Sequence, residues 1–494
     1  MNIHFTCRNR LIALTVLLSF AGFASAGTAE LEQEVDRLFS AWNKPHSPGA
    51  AVIVVKDGRV VYQREFGCAS LEHDVAISAR TVFDAASVAK QFTGLAIAML
   101  MKEGALAPDD DIRKYLPDVP DFGEPIRIRH LLSHSSGLRD WGPALVLSGS
   151  GWSDLVTTDQ IMELVRHQRA LGFAPGEKDL YCNTGYNLLA AIVAKISEKP
   201  FSTWMKENVF QPLGMHNTGF YNGPPAVVPH LADSYEFMPG TGFVRLTSQV
   251  FAPGSSTLLT TIGDMEKWLT NLETAKVGGT EALAAMRKRG RLNSGSTINY
   301  GFGLVLERVH GLETESHGGG LDGYTSAVLH IPSRRFGVTI LANRADINAE
   351  VLARQIAEIY LDLPRDLPAV GPRLESKPLK APDLPAPTRE ELSAYAGDYW
   401  SEELEVVYHV AVRGSNLMVR CGFREWTPLL ARSANQFETE RIPELGLKAE
   451  IQFTRNAVGE VSGMKVSARR VREVRFARVF LPHFEVEKSS RAKE

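Results

Sequence analysis

The chain has 494 residues, 44% hydrophobic and 22% charged, with a formal net charge of −3. That length supports two or three domains with sizeable cores, and the composition is ordinary for a soluble globular protein. The near-neutral balance leaves no global electrostatic argument for nucleic acid or an acidic polymer as partner.

At the N-terminus Arg8 and Arg10 precede the apolar run LIALTVLLSFAGF and then Ala24-Ser25-Ala26. A basic end, a short apolar core and a small-x-small site predict a secretory signal over 1–26, cut after Ala26. The run is too short for a comfortable span and no other stretch approaches one, so the mature chain is expected in the periplasm or secreted, without a membrane span. No cysteine follows where a lipid anchor needs one. Cys7 leaves with the signal. Cys68, Cys182 and Cys421 are too few and scattered for a disulfide framework or a zinc site, and are read as buried free thiols. No metal or other cofactor is expected.

Leu31, Val35, Leu38, Phe39 and Trp42 recur at helical spacing, and AAVIVVK and RVVYQREF flank Asp57-Gly58, a hairpin signal. The run SVAKQFTGLAIAMLMKEG then predicts a helix apolar nearly all round, hence buried, with Gly104 as its stop. A mostly helical and loop region follows from Asp109 to about Thr260. Thr261-x-x-Asp264 resembles a capping box for the helix DMEKWLTNLE. YTSAVLHI and FGVTILAN read as strands hinged by Ser333-Arg334-Arg335, and NAEVLARQIAEIYLDL closes the part as a helix. Early and late strands around a helical insertion predict an α/β (α+β) domain over 27–363: one antiparallel sheet flanked by helices, with a helical subdomain. Residues 364–387, rich in proline, read as a linker. Short alternating strands over 388–482 predict a small antiparallel β-barrel, independent enough that a chain ending near Leu363 should stay soluble. Arg470, Arg472 and Arg478 are read as its outward, solvated face. Residues 483–494 form a polar tail.

Ser87 opens the buried helix, and Lys90, three residues on, shares its face. Unpaired amides and the helix dipole there favour developing negative charge, as an attacking serine requires. The same spacing at Ser462–Lys465 and Ser490–Lys493 opens no buried helix. A lysine with a reference pKa of about 10.4 reaches its neutral form at pH 7 at a cost of roughly 4–5 kcal/mol, so a proton-sharing partner helps. Tyr181, in Tyr181-Cys182-Asn183 before the helix TGYNLLAAIVAKIS, can share it, and the Asn183 amide can hold the lysine or a substrate carbonyl. His317-Gly318-Gly319-Gly320 leads into YTSAVLHI, where glycines admit a ligand close to the backbone and an exposed N–H could complete an oxyanion hole with that of Ser87.

Ser87-x-x-Lys90, Tyr181-x-Asn183 and His317-x-Gly319, in that order, resemble the three motifs of the serine β-lactamase and penicillin-recognising superfamily. The class C-like branch, with D-Ala-D-Ala carboxypeptidases, D-aminopeptidases and esterases, is the nearest in kind. PGAAVIVVKDG, TVFDAASVAKQFT, IRIRHLLSHSSGL, APGEKDLYCNTGYNLL and FQPLGMHNTG match it too, so the resemblance covers residues 48–361. YAGDYW is similar to the opening of a barrel appended to some members. The resemblance implies Ser87 as acylated nucleophile and Lys90 and Tyr181 as its proton-transfer pair. Asn183, His317 and Gly319 would hold substrate, and the N–H groups of Ser87 and Gly320 the oxyanion. Histidine in place of the lysine common in β-lactamases resembles the carboxypeptidase- and aminopeptidase-like members. Near its reference pKa of about 6.5, His317 should bind carboxylate-bearing substrates better as pH falls.

His130 and His134, at i, i+4, have no carboxylate partner in a metallopeptidase arrangement and are read as structural. Gly318-x-Gly320-x-x-Gly323 leads into a strand, not a dinucleotide-binding helix, and no Gly-x-Ser-x-Gly elbow exists. The expected activity is an exported serine hydrolase cleaving an amide or ester on a small-molecule or peptide substrate, cell-wall-derived ones included. The alternatives are a β-lactamase or a slowly deacylating penicillin-binding or peptide-sensing protein.

Overall fold

Ala50–Lys56 is apolar without alternation because it lies inside a sheet covered on both faces, whereas its hairpin partner Arg59–Phe66 alternates as an edge strand does. Asp57 and Gly58 join them with φ of 52° and 71°, the two left-handed residues of a tight hairpin turn. The computed structural model describes residues 29–151, 154–221, 223, 227–365, 387–422, 424–439 and 448–480. The predicted signal, nearly all of the linker and the tail lie outside them. No helix among the described residues is long and apolar enough to cross a membrane.

The chain divides into two compact units, one from Met1–Ala107, Leu189–Arg291 and Thr297–Glu375, the other from Pro108–Leu188, Leu292–Ser296 and Ser376–Glu494. The first is built on a six-stranded sheet with every neighbour antiparallel. From edge to edge it runs Val305–Val309, Leu312–Leu321, Tyr324–Ile331, Phe336–Ala342, Ala50–Lys56 and Arg59–Phe66. One face is covered by the helix over 29–39 and by Ala349–Leu361, through Val35, Phe39, Leu352 and Ile356 against Val52, Val54, Val338 and Ile340. Each fully buried side chain of this kind contributes about 1.5–3 kcal/mol. Behind the other face, Ile262–Thr274 and the buried helix Ala89–Lys102 meet through Trp268, whose indole lies 4.2 Å from the Phe92 ring and donates to Gln91 Oε1 at 2.6 Å. Gly94 lets that helix reach a loop: a Cβ there would sit 2.2 Å from the Phe302 carbonyl oxygen.

The capping box at Thr261 is only half formed. Thr261 Oγ accepts the Asp264 N–H at 3.3 Å, but the Asp264 carboxylate turns away to the Asn217 N–H and the Thr218 hydroxyl, at 2.8 and 2.9 Å. A buried carboxylate takes the partners that satisfy it best, and here these are tertiary.

The second unit joins the helical stretch Pro108–Leu188 to the barrel. Eight antiparallel strands close the barrel between Gly397 and Val479, the first strand pairing with the last. Alternate residues such as Tyr399, Val419, Phe437, Ile451, Phe453 and Val466 fill it. The helix Trp141–Leu147 stops one mouth: Tyr408 donates to the Leu147 carbonyl at 2.8 Å and Arg424 Nε to that of Gly149 at 3.0 Å. A cavity of about 30 Å³ remains there, room for roughly one water. Arg139 of the helical stretch pairs with Glu403 of the barrel at 2.6 Å, both side chains buried, and Arg139 also donates to the Arg472 carbonyl. The barrel is thus half of a unit whose other half is helical, and the expected independence of 388–482 gives way to this buried pairing.

Candidate active site

Ser87 lies in a 3-10 turn, Ala86–Val88, that feeds directly into the helix Ala89–Lys102. The turn is shaped by Asp84, whose buried carboxylate accepts the Ala86 N–H at 2.7 Å, and Ala86 has a φ of 47°. An alanine in the left-handed region is strained, and the strain sits one residue before Ser87. Burial, with the Asp322 carboxylate adding to it and the Ala86 N–H opposing it, pushes Asp84 up to about 7. Lys90 is fully buried, and its Nζ lies 3.0 Å from Ser87 Oγ and 2.7 Å from the Ser255 carbonyl. In its neutral form the amine can donate to that carbonyl while accepting the serine proton.

The strand Leu312–Leu321 brings the glycines against this turn. A Cβ on Gly319 would lie 2.3 Å from Ser326 Oγ and 2.5 Å from the Ala85 carbonyl oxygen, which itself accepts from Ser326 at 2.7 Å. A Cβ on Gly320 would meet nothing within 4 Å. The outer strand Val305–Val309 pairs only as far as Ser316, so from His317 to Leu321 no further strand flanks that edge among the described residues. Ser87, Lys90, His317, Gly319 and Gly320 therefore share one unit.

His317 is buried, and both ring nitrogens are engaged. Nδ1 lies 2.6 Å from the Gly318 carbonyl, which can only accept, so Nδ1 carries the proton and Nε2 accepts from the Tyr300 hydroxyl at 2.8 Å. Burial, reinforced by the Lys90 charge and opposed by the Gly318 carbonyl, pushes His317 down to about 3. The expected gain in carboxylate binding on acidification does not follow from an imidazole held neutral to that pH. A different pH effect does. Between about 3 and the ordinary 6.5 the unfolded chain binds a proton that the folded one refuses, so stability falls as pH drops through that window. In urea melts, His317→Gln should flatten this part of the pH dependence; equal slopes in the two proteins would rule the effect out.

Tyr181 and Asn183 stand in the other unit, at the head of the helix Asn183–Ser197. The fully buried Asp140 carboxylate anchors this corner, accepting the Asn183 backbone N–H at 2.9 Å and, at 3.5 Å, its side-chain amide. His134 accepts the Cys182 N–H at Nδ1 and sets its ring 4.3 Å from that of Tyr181. Arg470, from the barrel, places Cζ 5.1 Å from the Tyr181 ring centroid and Nε 2.6 Å from Asp140 Oδ2. Of the arginines read as an outward face, Arg470 and Arg478 are instead engaged through their side chains, and Arg472 through its backbone alone. Arg478 reaches the Val461 carbonyl at 3.2 Å as well as that of Ala396, and the Arg472 backbone serves Arg139. Cys182 is buried, its thiol pushed up to about 12 by burial and the Asp140 charge and directed at the carbonyls of Leu138 and Arg139.

His130 has the structural place expected of it. Its Nδ1 accepts the Arg127 N–H, and burial among arginines pushes it down to about 4. Ser462 is exposed on a strand, and Lys465 pairs with Glu473 at 2.9 Å. Asp84, Asp140, Tyr300 and Arg470 were not singled out as site residues, since none lies in a motif. Only the Asp84-Ala85-Ala86-Ser87 run offers a local signal, an aspartate placed to cap the turn.

A family model described as Beta-lactamase matches residues 32–361. A penicillin-binding protein of Bacillus subtilis (strain 168) is 28% identical over 384 residues, 74% of this chain and 82% of the relative. A D-aminopeptidase of Gluconobacter oxydans (strain 621H) is 27% identical over 318 residues, 64% of this chain and 59% of the relative's length. Among solved structures, the octameric penicillin-binding protein homologue from Pyrococcus abyssi shares the fold with a TM-score of 0.59 at 23% identity, covering 91% of this chain and 99% of that one. EstCE1, a hydrolase with promiscuous acyltransferase activity, does so with a TM-score of 0.56 at 24% identity, over 68% and 99%.

Proposed function

Since this chain belongs to the beta-lactamase family, we propose that it is an exported hydrolase that cleaves an amide or ester through an acyl-enzyme on Ser87. That it is a serine hydrolase follows from the family and from its D-aminopeptidase relatives. One observation carries the finer reading: the fully buried Lys90 amine lies 3.0 Å from Ser87 Oγ, beside a glycine strand with open space at Gly320.

In this reading Ser87 Oγ attacks the substrate carbonyl, and its proton passes to the Lys90–Tyr181 pair. The oxyanion is held by the N–H groups of Ser87 and Gly320. The pair then protonates the leaving amine or alcohol, and water, deprotonated by the same pair, releases the acid and restores the serine. Asn183 and His317 orient the substrate, His317 as part of the glycine strand that faces it. Relatives named D-aminopeptidase support short D-amino amides as substrates; D-Ala-D-Ala peptides and short esters stand beside them on the motif resemblance. The N-terminal charge pattern supports export.

An intact-mass time course with p-nitrophenyl acetate and with nitrocefin tests this. A transient acetyl adduct with continued product release is expected. An adduct that persists after product release stops would instead make the protein a slowly deacylating binder, the reading that the Bacillus penicillin-binding relative favours.

A further inference from the structure

The tip of the barrel hairpin between Val461–Ala468 and Val471–Val479 is the two-residue turn Arg469-Arg470, since Ala468 pairs with Val471. Arg469 takes a φ of 48°, the left-handed conformation a tight hairpin turn calls for. Arg470 lands on the Tyr181 corner with one side of its guanidinium over the ring and Nε against Asp140, whose side chain is fully buried. Nε is itself buried and its N–H is not aimed along a hydrogen bond, so the pairing is by charge. The Arg470 side chain as a whole keeps 32% of its surface. Two residues on, the Arg472 carbonyl is held by Arg139, which is locked to Glu403; the hairpin tip is thus clamped in place.

A guanidinium on an aromatic face is attracted to the ring, and it favours the phenolate over the phenol once the proton leaves. The same guanidinium neutralises Asp140, the group that anchors Asn183. Around Tyr181 this unit also sets the His134 ring, the neighbouring neutral Cys182 thiol and the Asp140 carboxylate, with which Arg470 forms an ion pair.

We propose that Arg470 is a positioning residue for the proton-transfer step, so that the C-terminal barrel is a working part of the hydrolase and not an appendage. The inference rests on the reading above in which Tyr181 shares the proton of Ser87. Through Tyr181, Arg470 sets the pH at which the proton-sharing pair becomes competent. Through Asp140, it holds Asn183 in register.

The test is the pH dependence of Ser87 labelling by a fluorophosphonate probe, followed by intact mass in the full chain. Arg470→Gln should slow labelling about tenfold near neutral pH and move the rising acid limb up by about one pH unit. Arg470→Lys, which keeps the charge at a partly exposed position, should bring the limb back towards the parent. A purely structural role would lower the melting temperature of Arg470→Gln and leave the limb in place, and that result would overturn the proposal. So would an Arg470→Lys protein whose limb is as displaced as that of the glutamine variant; should Arg470→Gln not fold, the lysine variant is scored against the parent, and a limb displaced by a full unit overturns the proposal. Tyr181→Phe separates this failure from failure of the parent reading. If the phenylalanine variant labels at the full rate, the assignment of Tyr181 falls. If it is slow while Arg470→Gln is normal, only the role of Arg470 falls.

Discussion

Ser87→Ala should leave no covalent adduct with an ester, a β-lactam or a fluorophosphonate, and should reduce turnover by on the order of ten-thousandfold or more. Among the described residues the geometry leaves no comparable nucleophile of the same motif. Ser462, the other described serine with a lysine three residues on, is exposed on a strand and its lysine is committed to Glu473. The alanine protein should melt cooperatively, because Lys90 keeps the Ser255 carbonyl and the turn keeps its Asp84 and Ser326 contacts. Labelling that survives Ser87→Ala and is lost in Ser462→Ala would falsify the assignment.

The second large effect is on stability. Glu403→Ala leaves the Arg139 guanidinium buried, 2% exposed, without its carboxylate. Removing one partner of a buried pair costs about 3–5 kcal/mol, far more than losing an exposed pair. The Arg472 carbonyl still accepts from Arg139 and offsets part of this. A chain ending near Leu363 removes both groups that Arg139 pairs with, Glu403 and the Arg472 carbonyl, together with the cover over Leu147, so it should lose cooperative melting in place of staying a soluble, self-contained domain. Urea melts followed by tryptophan fluorescence report on this, since Trp141 begins the helix that stops the barrel. A Glu403→Ala midpoint within about 0.5 kcal/mol of the parent, the usual range of surface changes, would show the pair to be dispensable. Arg139→Met with Glu403→Leu should recover much of the loss, because an apolar pair leaves no charge stranded.

How much of this was legible in the sequence depended on the range of the interaction. Asp57-Gly58 marked its hairpin because a two-residue turn with both φ angles positive is a local demand that only a few residue pairs meet. The Ser87 helix declared its burial because an apolar run with no polar stripe has nowhere else to go. Barrel strands with strict alternation, such as VVYHVAV, could be marked, whereas Thr427–Ser433, with Pro428 inside it, could not. What stayed hidden was every pairing across the chain. Arg470 is separated from Asp140 by 330 residues, and nothing near either marks the other; the bland reading of a solvated arginine face was the natural one. The His317 charge state was hidden for the same reason. Its pKa is set by burial and by Lys90, neither of which is visible in His-Gly-Gly-Gly. Thr261-x-x-Asp264 shows the reverse error, a local pattern overridden when Asp264 found better partners at Asn217 and Thr218.

The pairing of Arg139 with Glu403 also has a consequence in time. A ribosome delivers Pro108–Leu188 long before it delivers the barrel, with some two hundred residues of the other unit emerging between them. Until Glu403 and the Arg472 carbonyl arrive, the helical stretch holds a guanidinium with no buried partner, and the helix Trp141–Leu147 has no barrel mouth to enter. Closing contacts over such a separation is slow, and the apolar surface exposed meanwhile is what chaperones hold. Nascent chains that end after Leu361 but before the barrel therefore carry a complete sheet unit joined to an unfinished partner, and the corner bearing Tyr181 is among the last parts of the molecule to set.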